Sequence, residues 1–202
     1  AMFTGGLPFE RGQTQFGGDT ARIPTTVTGK LLGRQFHAED ELYSQATGLL
    51  LCVVKNVTGA TAMESINSTT TAADRGNVLR WAFTVAAEVG AAVVKLAALP
   101  SAADGFKVCG VIDPMYVAEI VDDDNFFMVT RGVVDVMAAG DAGAEAIILG
   151  DLIVVDDDPD GGKVRESAAA ADWATGGIGI AQTATAVVDG VFRIFHFLPH
   201  TY

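Results

Sequence analysis

The sequence predicts an all-β protein: a small antiparallel barrel or sandwich that carries an extended N-terminal arm. Residues 125–197 contain short runs rich in Val, Ile and Phe, each bounded by Gly and Asp. They read Asn125-Phe-Phe-Met-Val-Thr-Arg-Gly-Val-Val-Asp-Val-Met, Gly150-Asp-Leu-Ile-Val-Val, Ile178-Gly-Ile-Ala and Gly190-Val-Phe-Arg-Ile-Phe-His-Phe. Runs of this length and punctuation are strands joined by turns. A helix needs a sustained 3.6-residue period, and glycine interrupts these runs too often for one. Half of the 202 residues are apolar and 19% are charged, which is the balance of a packed globule rather than a disordered chain.

Residues 1–30 are rich in Gly and Thr and lack helical periodicity, so they read as an arm with Phe3, Phe9, Phe16 and Ile23 as anchors. Isolated aromatic residues give a mobile segment large contact area. Two arrangements suit it: packing on a neighbouring subunit, or folding back on its own domain. The remainder, 31–202, is a β-rich domain that could divide into lobes at 31–100 and 101–202.

Residues 31–48 are polar and suit a short helix or an irregular connection. The apolar run 49–57 is a buried strand, and the Thr-rich stretch 58–77 is a long loop. In 78–85 the residues Leu79, Trp81, Phe83 and Val85 fall on one face with Arg80 and Thr84 on the other, a period of two. Residues 86–99 fit a helix through their alanines and a strand through Gly90 and Val93-Val94; strand is preferred, and a minor helical content stays open. A turn at 100–105 leads into a strand at 106–112, closed by Asp113-Pro114, and 117–121 can add another before the acidic turn Asp122-Asp-Asp-Asn. Beyond it come an aromatic strand ending in a turn at Thr130-Arg-Gly, then a second at 133–137. Turns follow at Gly140-Asp-Ala-Gly, at 156–162 and at Asp189-Gly190, the last a tight-hairpin signal.

The formal net charge of −12, with 13 scattered Lys and Arg, excludes nucleic acid as the expected partner, because phosphate contacts need clustered cations. No apolar span of membrane length occurs, and no basic segment followed by an apolar core marks a secretory leader. Cys52 and Cys109 lie in apolar runs without further Cys or His at ligand spacing, so they read as buried reduced thiols. The sequons at Asn56 and Asn67 read as chance matches.

Asp156-Asp-Asp-Pro-Asp-Gly opens like a calcium loop, but its twelfth position is Ser167, with Glu166 one place early, so an Asp-rich hairpin turn is the expectation. His196 alternates with Phe192 and Ile194 on one strand face, which suits a hydrogen-bonded buried imidazole. His37 and His200 have no nucleophile-elbow serine to partner them. Gly176-Gly-Ile-Gly-Ile-Ala lacks the last small residue of a dinucleotide fingerprint and opens no helix. No catalytic, cofactor or metal residue is therefore nominated, and an enzyme is not expected.

The strand-turn order as a whole is similar to that of another group of proteins. It comprises Phe126-Phe-Met-Val-Thr-Arg-Gly, then 133–137, Ala139-Gly-Asp-Ala-Gly, Gly150-Asp-Leu-Ile-Val-Val and Gly161-Gly-Lys-Val. It closes with Gly177-Ile-Gly-Ile-Ala-Gln and Val191-Phe-Arg-Ile-Phe. This resembles the capsid decoration, or cement, proteins of tailed bacteriophages over roughly residues 78–198; the long N-terminal half departs from the pattern. The resemblance implies a structural protein on the outer capsid surface of the virion that binds the major capsid protein and stabilises the head. It also implies a homotrimer, with no cofactor and no membrane. Under it, Phe3, Phe9, Phe16 and Ile23 form the capsid or subunit interface, and removal of residues 1–24 abolishes shell binding while leaving the fold intact. A second class, a β-rich carbohydrate-binding or hydrolytic virion protein, requires a cleft lined by members of the set Trp81, Trp173, Tyr43, Tyr116 and Tyr202.

Overall fold

The computed structural model describes residues 7–8, 10–16, 32–38, 48–57, 63–68, 76–82, 93–96, 108–139, 146–156, 161–168, 176–185 and 190–197. The fold is all-β, with no helical element among these residues. Eleven strands follow one another: β1 (Gln15–Phe16), β2 (Gln35–Ala38), β3 (Leu49–Asn56), β4 (Val78–Trp81), β5 (Val93–Leu96) and β6 (Val108–Ile112). Then come β7 (Asp124–Met137), β8 (Leu152–Val155), β9 (Val164–Glu166), β10 (Gly177–Ala181) and β11 (Val191–Phe197).

They form one sheet in the order β2-β3-β5-β4-β6-β7-β11-β10-β8-β9, with β1 added beside β7. All pairings are antiparallel except β3–β5. As a whole the sheet is not a closed barrel, because β2 and β9 stand at its ends. Within it, however, the pairings return on themselves, since β7 also pairs with β3. Val129 lies between Leu51 on one side and Val111 on the other, and Arg131 between Leu50 and Phe197. Thus β3 flanks β7 on one side while β6 and β11 share the other.

That length makes β7 the spine. The turn expected at Thr130-Arg-Gly does not form, and the two expected strands are one of fourteen residues. Gly132 passes through the strand at φ 131°, with the Leu49 side chain 2.5 Å from where a Cβ would stand. Glycine here lets the strand bend from one neighbour to the next rather than reverse.

Two apolar cores result. The first gathers Leu49, Leu51, Val53, Met63, Leu79, Ile112, Tyr116 and Phe126–Val129. The second gathers Val78, Val111, Val134, Val136, Ile153, Val155, Ile178, Phe192 and Ile194. On β4, Leu79 enters the first and Val78 the second, so a strand expected to face solvent on one side is buried on both. Trp81 packs at the edge of the first core. Alternation shows the apolar face of a strand, but burial of the other face depends on which neighbours cover it.

Three further segments differ from expectation. The polar stretch 31–48 contains a strand, β2, whose Phe36 meets Phe127 edge-on at 6.3 Å. The loop 58–77 sends fully buried Met63 into the first core through a bridge to Ile120, and 117–121 forms only that bridge. The strand preferred within 86–99 is present as β5, whereas the turns at Gly140-Asp-Ala-Gly and Asp189-Gly190 lie largely outside the described residues.

β6 crosses β7 closely at Gly110, where a Cβ would stand 2.5 Å from the Val129 carbonyl oxygen and 2.6 Å from Met128 Cγ. Gly110→Ala is therefore expected to cost about 1–3 kcal/mol by overpacking, read as a lower thermal midpoint. An unchanged midpoint would mean that the crossing is looser than this.

Candidate interaction surface

The chemistry-bearing side chains inside the fold are engaged in holding it. The β6–β7 connection begins at Asp113, which is completely buried and grips Arg11 with two bonds, Nε to Oδ2 at 2.8 Å and Nη2 to Oδ1 at 2.7 Å. The Tyr116 hydroxyl donates to the Gln13 carbonyl at 3.2 Å and accepts from the Phe127 amide at 2.9 Å. Burial pushes that phenol well above its ordinary range. Leu7 packs on the first core, and β1 pairs with Asn125 and Asp124. So residues 7–8 and 10–16 fold back on their own domain.

Of the anchors expected on the arm, Phe16 pairs through its backbone with Asp124, while Phe3, Phe9 and Ile23 lie outside the described residues. Removing residues 1–24 while leaving the fold intact is incompatible with a buried Arg11–Asp113 pair. Such a truncation would strand a buried carboxylate.

His196 is fully buried on the inner face of β11, as its alternation with Phe192 and Ile194 implies. Its Nδ1 lies 2.6 Å from the Ile178 carbonyl oxygen, so this nitrogen carries the proton and donates it. Burial holds its pKa down at about 4, and the imidazole is neutral. Cys52 and Cys109 are buried free thiols; burial pushes the first up to about 11 and holds the second well above the ordinary thiol range. A thiol so protonated is a poor nucleophile.

Asp156 is buried directly before the Asp-rich turn, and its Oδ1 receives the Arg165 guanidinium at 3.2 Å. Its amide bonds the Lys163 carbonyl, which places buried Lys163 opposite it across the hairpin. The Arg165 guanidinium thus already meets the carboxylate that would open a calcium loop; residues 157–160 lie outside the described residues. Asn56 is completely buried with its amide on the Ile120 carbonyl, so that sequon is closed to modification. Tyr116 and Trp81, both buried or packed at a core, do not line an open glycan cleft.

Comparison of the chain with protein-family models, curated proteins and solved structures finds no match.

What the described surface offers is an apolar projection where the chain enters β8. Ile147 anchors it from the second core and pairs with Thr185. Ile148 and Leu149 then stand 59% and 72% exposed. The turn is stiff: Asp151 Oδ2 accepts the Ile148 amide at 2.7 Å, and Gly150, at φ 96°, donates its amide to the Ala181 carbonyl at 2.9 Å. From there the apolar surface continues across the sheet. Leu152 stands opposite Ile180 and Ile180 opposite Phe195, so the three share the face turned away from the second core. Phe197 lies beside Phe195, ring centroids 6.0 Å apart. The Arg193–Asp135 pair, 3.1 Å apart, borders the strip, giving an apolar centre with a charged rim. The run Ala146-Ile-Ile-Leu-Gly was legible in the sequence as apolar, but not which of its side chains turn outward.

Proposed function

We propose that this protein is a structural virion component that binds the outer surface of a phage head and stabilises the shell, with the major capsid protein as its partner. The observation that supports this most is the stiff turn holding Ile148 and Leu149 in solvent at the end of an apolar strip. A side chain already fixed in its bound position loses little entropy on docking, and an apolar centre with a charged rim suits a protein partner. The strand-turn resemblance names the class of partner, and the buried titratable groups serve the fold. Many copies on one shell add weak contacts into firm attachment.

Under this reading, the double substitution Ile148→Asp with Leu149→Asp abolishes co-sedimentation with empty heads of the phage that encodes the protein. Because both side chains are exposed, stability changes by no more than about 0.5 kcal/mol. Wild-type protein that binds no shell ends the reading. Undiminished binding by the double variant moves the contact elsewhere.

A further inference from the structure

We infer that Cys52, Cys109 and Met128 form a three-sulfur site for a soft monovalent metal ion, copper(I), inside the first core. The inference is independent of the capsid reading. Three neighbouring strands supply the sulfurs, because β3 and β6 flank β7, which carries the methionine. Cys52 stands directly opposite Met128, and such a pair shares a face of the sheet with Cβ atoms about 5 Å apart. Cys109 Sγ donates to Met128 Sδ at 3.5 Å. All three side chains belong to the first core.

Two departures from regular strand geometry bring Cys109 there. Leu79 faces Gly110 while the next residue, Arg80, faces Val108, so Cys109 is the extra residue of a bulge. Plain alternation would set it with Val111, which enters the second core; the bulge turns it into the first. Gly110 then clears the way. Met128 Sδ lies 2.8 Å from where a Cβ of residue 110 would stand, so the thioether reaches over β6 to the thiol.

The donor set selects the ion. Thiolate with thioether suits copper(I), whereas calcium and magnesium need oxygen ligands and structural zinc needs four donors of the Cys, His or carboxylate kind. Among the described residues no third His, Cys, Asp or Glu joins the two thiols in a metal-binding group. Sulfur donors about 2.3 Å from one ion stand about 4 Å apart, close to the Cys109–Met128 spacing. The present bonds are weak ones, Cys52 meeting only the Val53 carbonyl at 3.8 Å. On binding, each thiol releases its proton to solvent as its sulfur–copper bond forms, and copper stays monovalent. Burial holds both thiols protonated, and charge on Cys52 raises Cys109 further, so the two sulfurs are near enough to interact. A cation held between them relieves that repulsion.

The test supplies copper(I) alone to the full chain, without oxygen and against the chelator bicinchoninate. It is added both to the folded protein and during refolding from urea. One equivalent should bind, with X-ray absorption reporting three sulfurs at about 2.3 Å. Because two protons leave, the apparent dissociation constant should fall about 100-fold for each unit rise in pH near neutrality. Met128→Leu keeps the apolar volume and the fold; it should leave two sulfurs around copper and weaken binding at least about 10-fold. Cys52→Ala and Cys109→Ala, checked for folding by circular dichroism, should each abolish binding. No uptake by either route overturns the inference. So does zinc(II) held as tightly as copper(I), binding that survives loss of either cysteine, or a Met128→Leu variant with unchanged sulfur count and affinity.

Discussion

Arg11→Ala is expected to destabilise the fold by about 3–5 kcal/mol, measured as a lower denaturant midpoint, although Arg11 lies far from Asp113 in sequence. The guanidinium fork meets both oxygens of a completely buried carboxylate, and the Met115 amide completes its shell at 3.2 Å. Deleting one partner leaves the other charged in a low-dielectric interior, and that uncompensated burial is the larger part of the cost. Removing both charges relieves it, so Arg11→Met with Asp113→Asn should cost less than Arg11→Ala alone. Arg11→Lys keeps the charge but not the paired bonds, and should fall between. A loss below about 1 kcal/mol for Arg11→Ala would mean that the N-terminal segment is an accessory rather than a part of the fold.

Acid should weaken the second core through His196. Its folded pKa is held at about 4 against an ordinary 6.5. In the interval between these values the unfolded chain binds a proton that the folded chain refuses. Stability from this group is therefore full above pH 6.5, falls as pH drops, and is lost below about pH 4, amounting to about 3 kcal/mol across the window. The geometry gives the cause. Nδ1 is committed to the Ile178 carbonyl, and Nε2 has no hydrogen-bond partner among the described residues, so a second proton would enter the core unpaired. His196→Asn keeps an amide donor for Ile178 and removes the titration. Between pH 7 and pH 4 the wild type should lose about 3 kcal/mol more than this variant in urea unfolding. Parallel pH profiles for the two proteins would show that the acid sensitivity lies with the carboxylates.

Local pattern carried much of the fold. The apolar runs at β3, β6, β8, β10 and β11 were legible because a buried strand needs β-branched and aromatic side chains, and Gly and Asp mark its ends. The inward place of His196 followed from a period of two. Gly132 misled for a physical reason: the same backbone freedom serves a turn or a bend within a strand, and only the flanking partners choose between them. β2 was hidden because an edge strand of four residues, half of them exposed, lacks the apolar density of a core strand. The apolar strip was equally hidden, since Leu152, Ile180 and Phe195 come together only through strand register.

By itself, then, the sequence determined the all-β class, most of the central strands, the buried thiols and the direction of His196, because each depends on side chains within a few residues. The tertiary structure alone decided that the N-terminal segment belongs to the core through Arg11 and Asp113. It also decided that β7 is one strand serving two cores, that Asp156 is met by Arg165, and that Ile148 and Leu149 face solvent. These rest on contacts between residues distant in the chain. Whether an apolar side chain is buried, or a charge paired, depends on what the fold brings beside it.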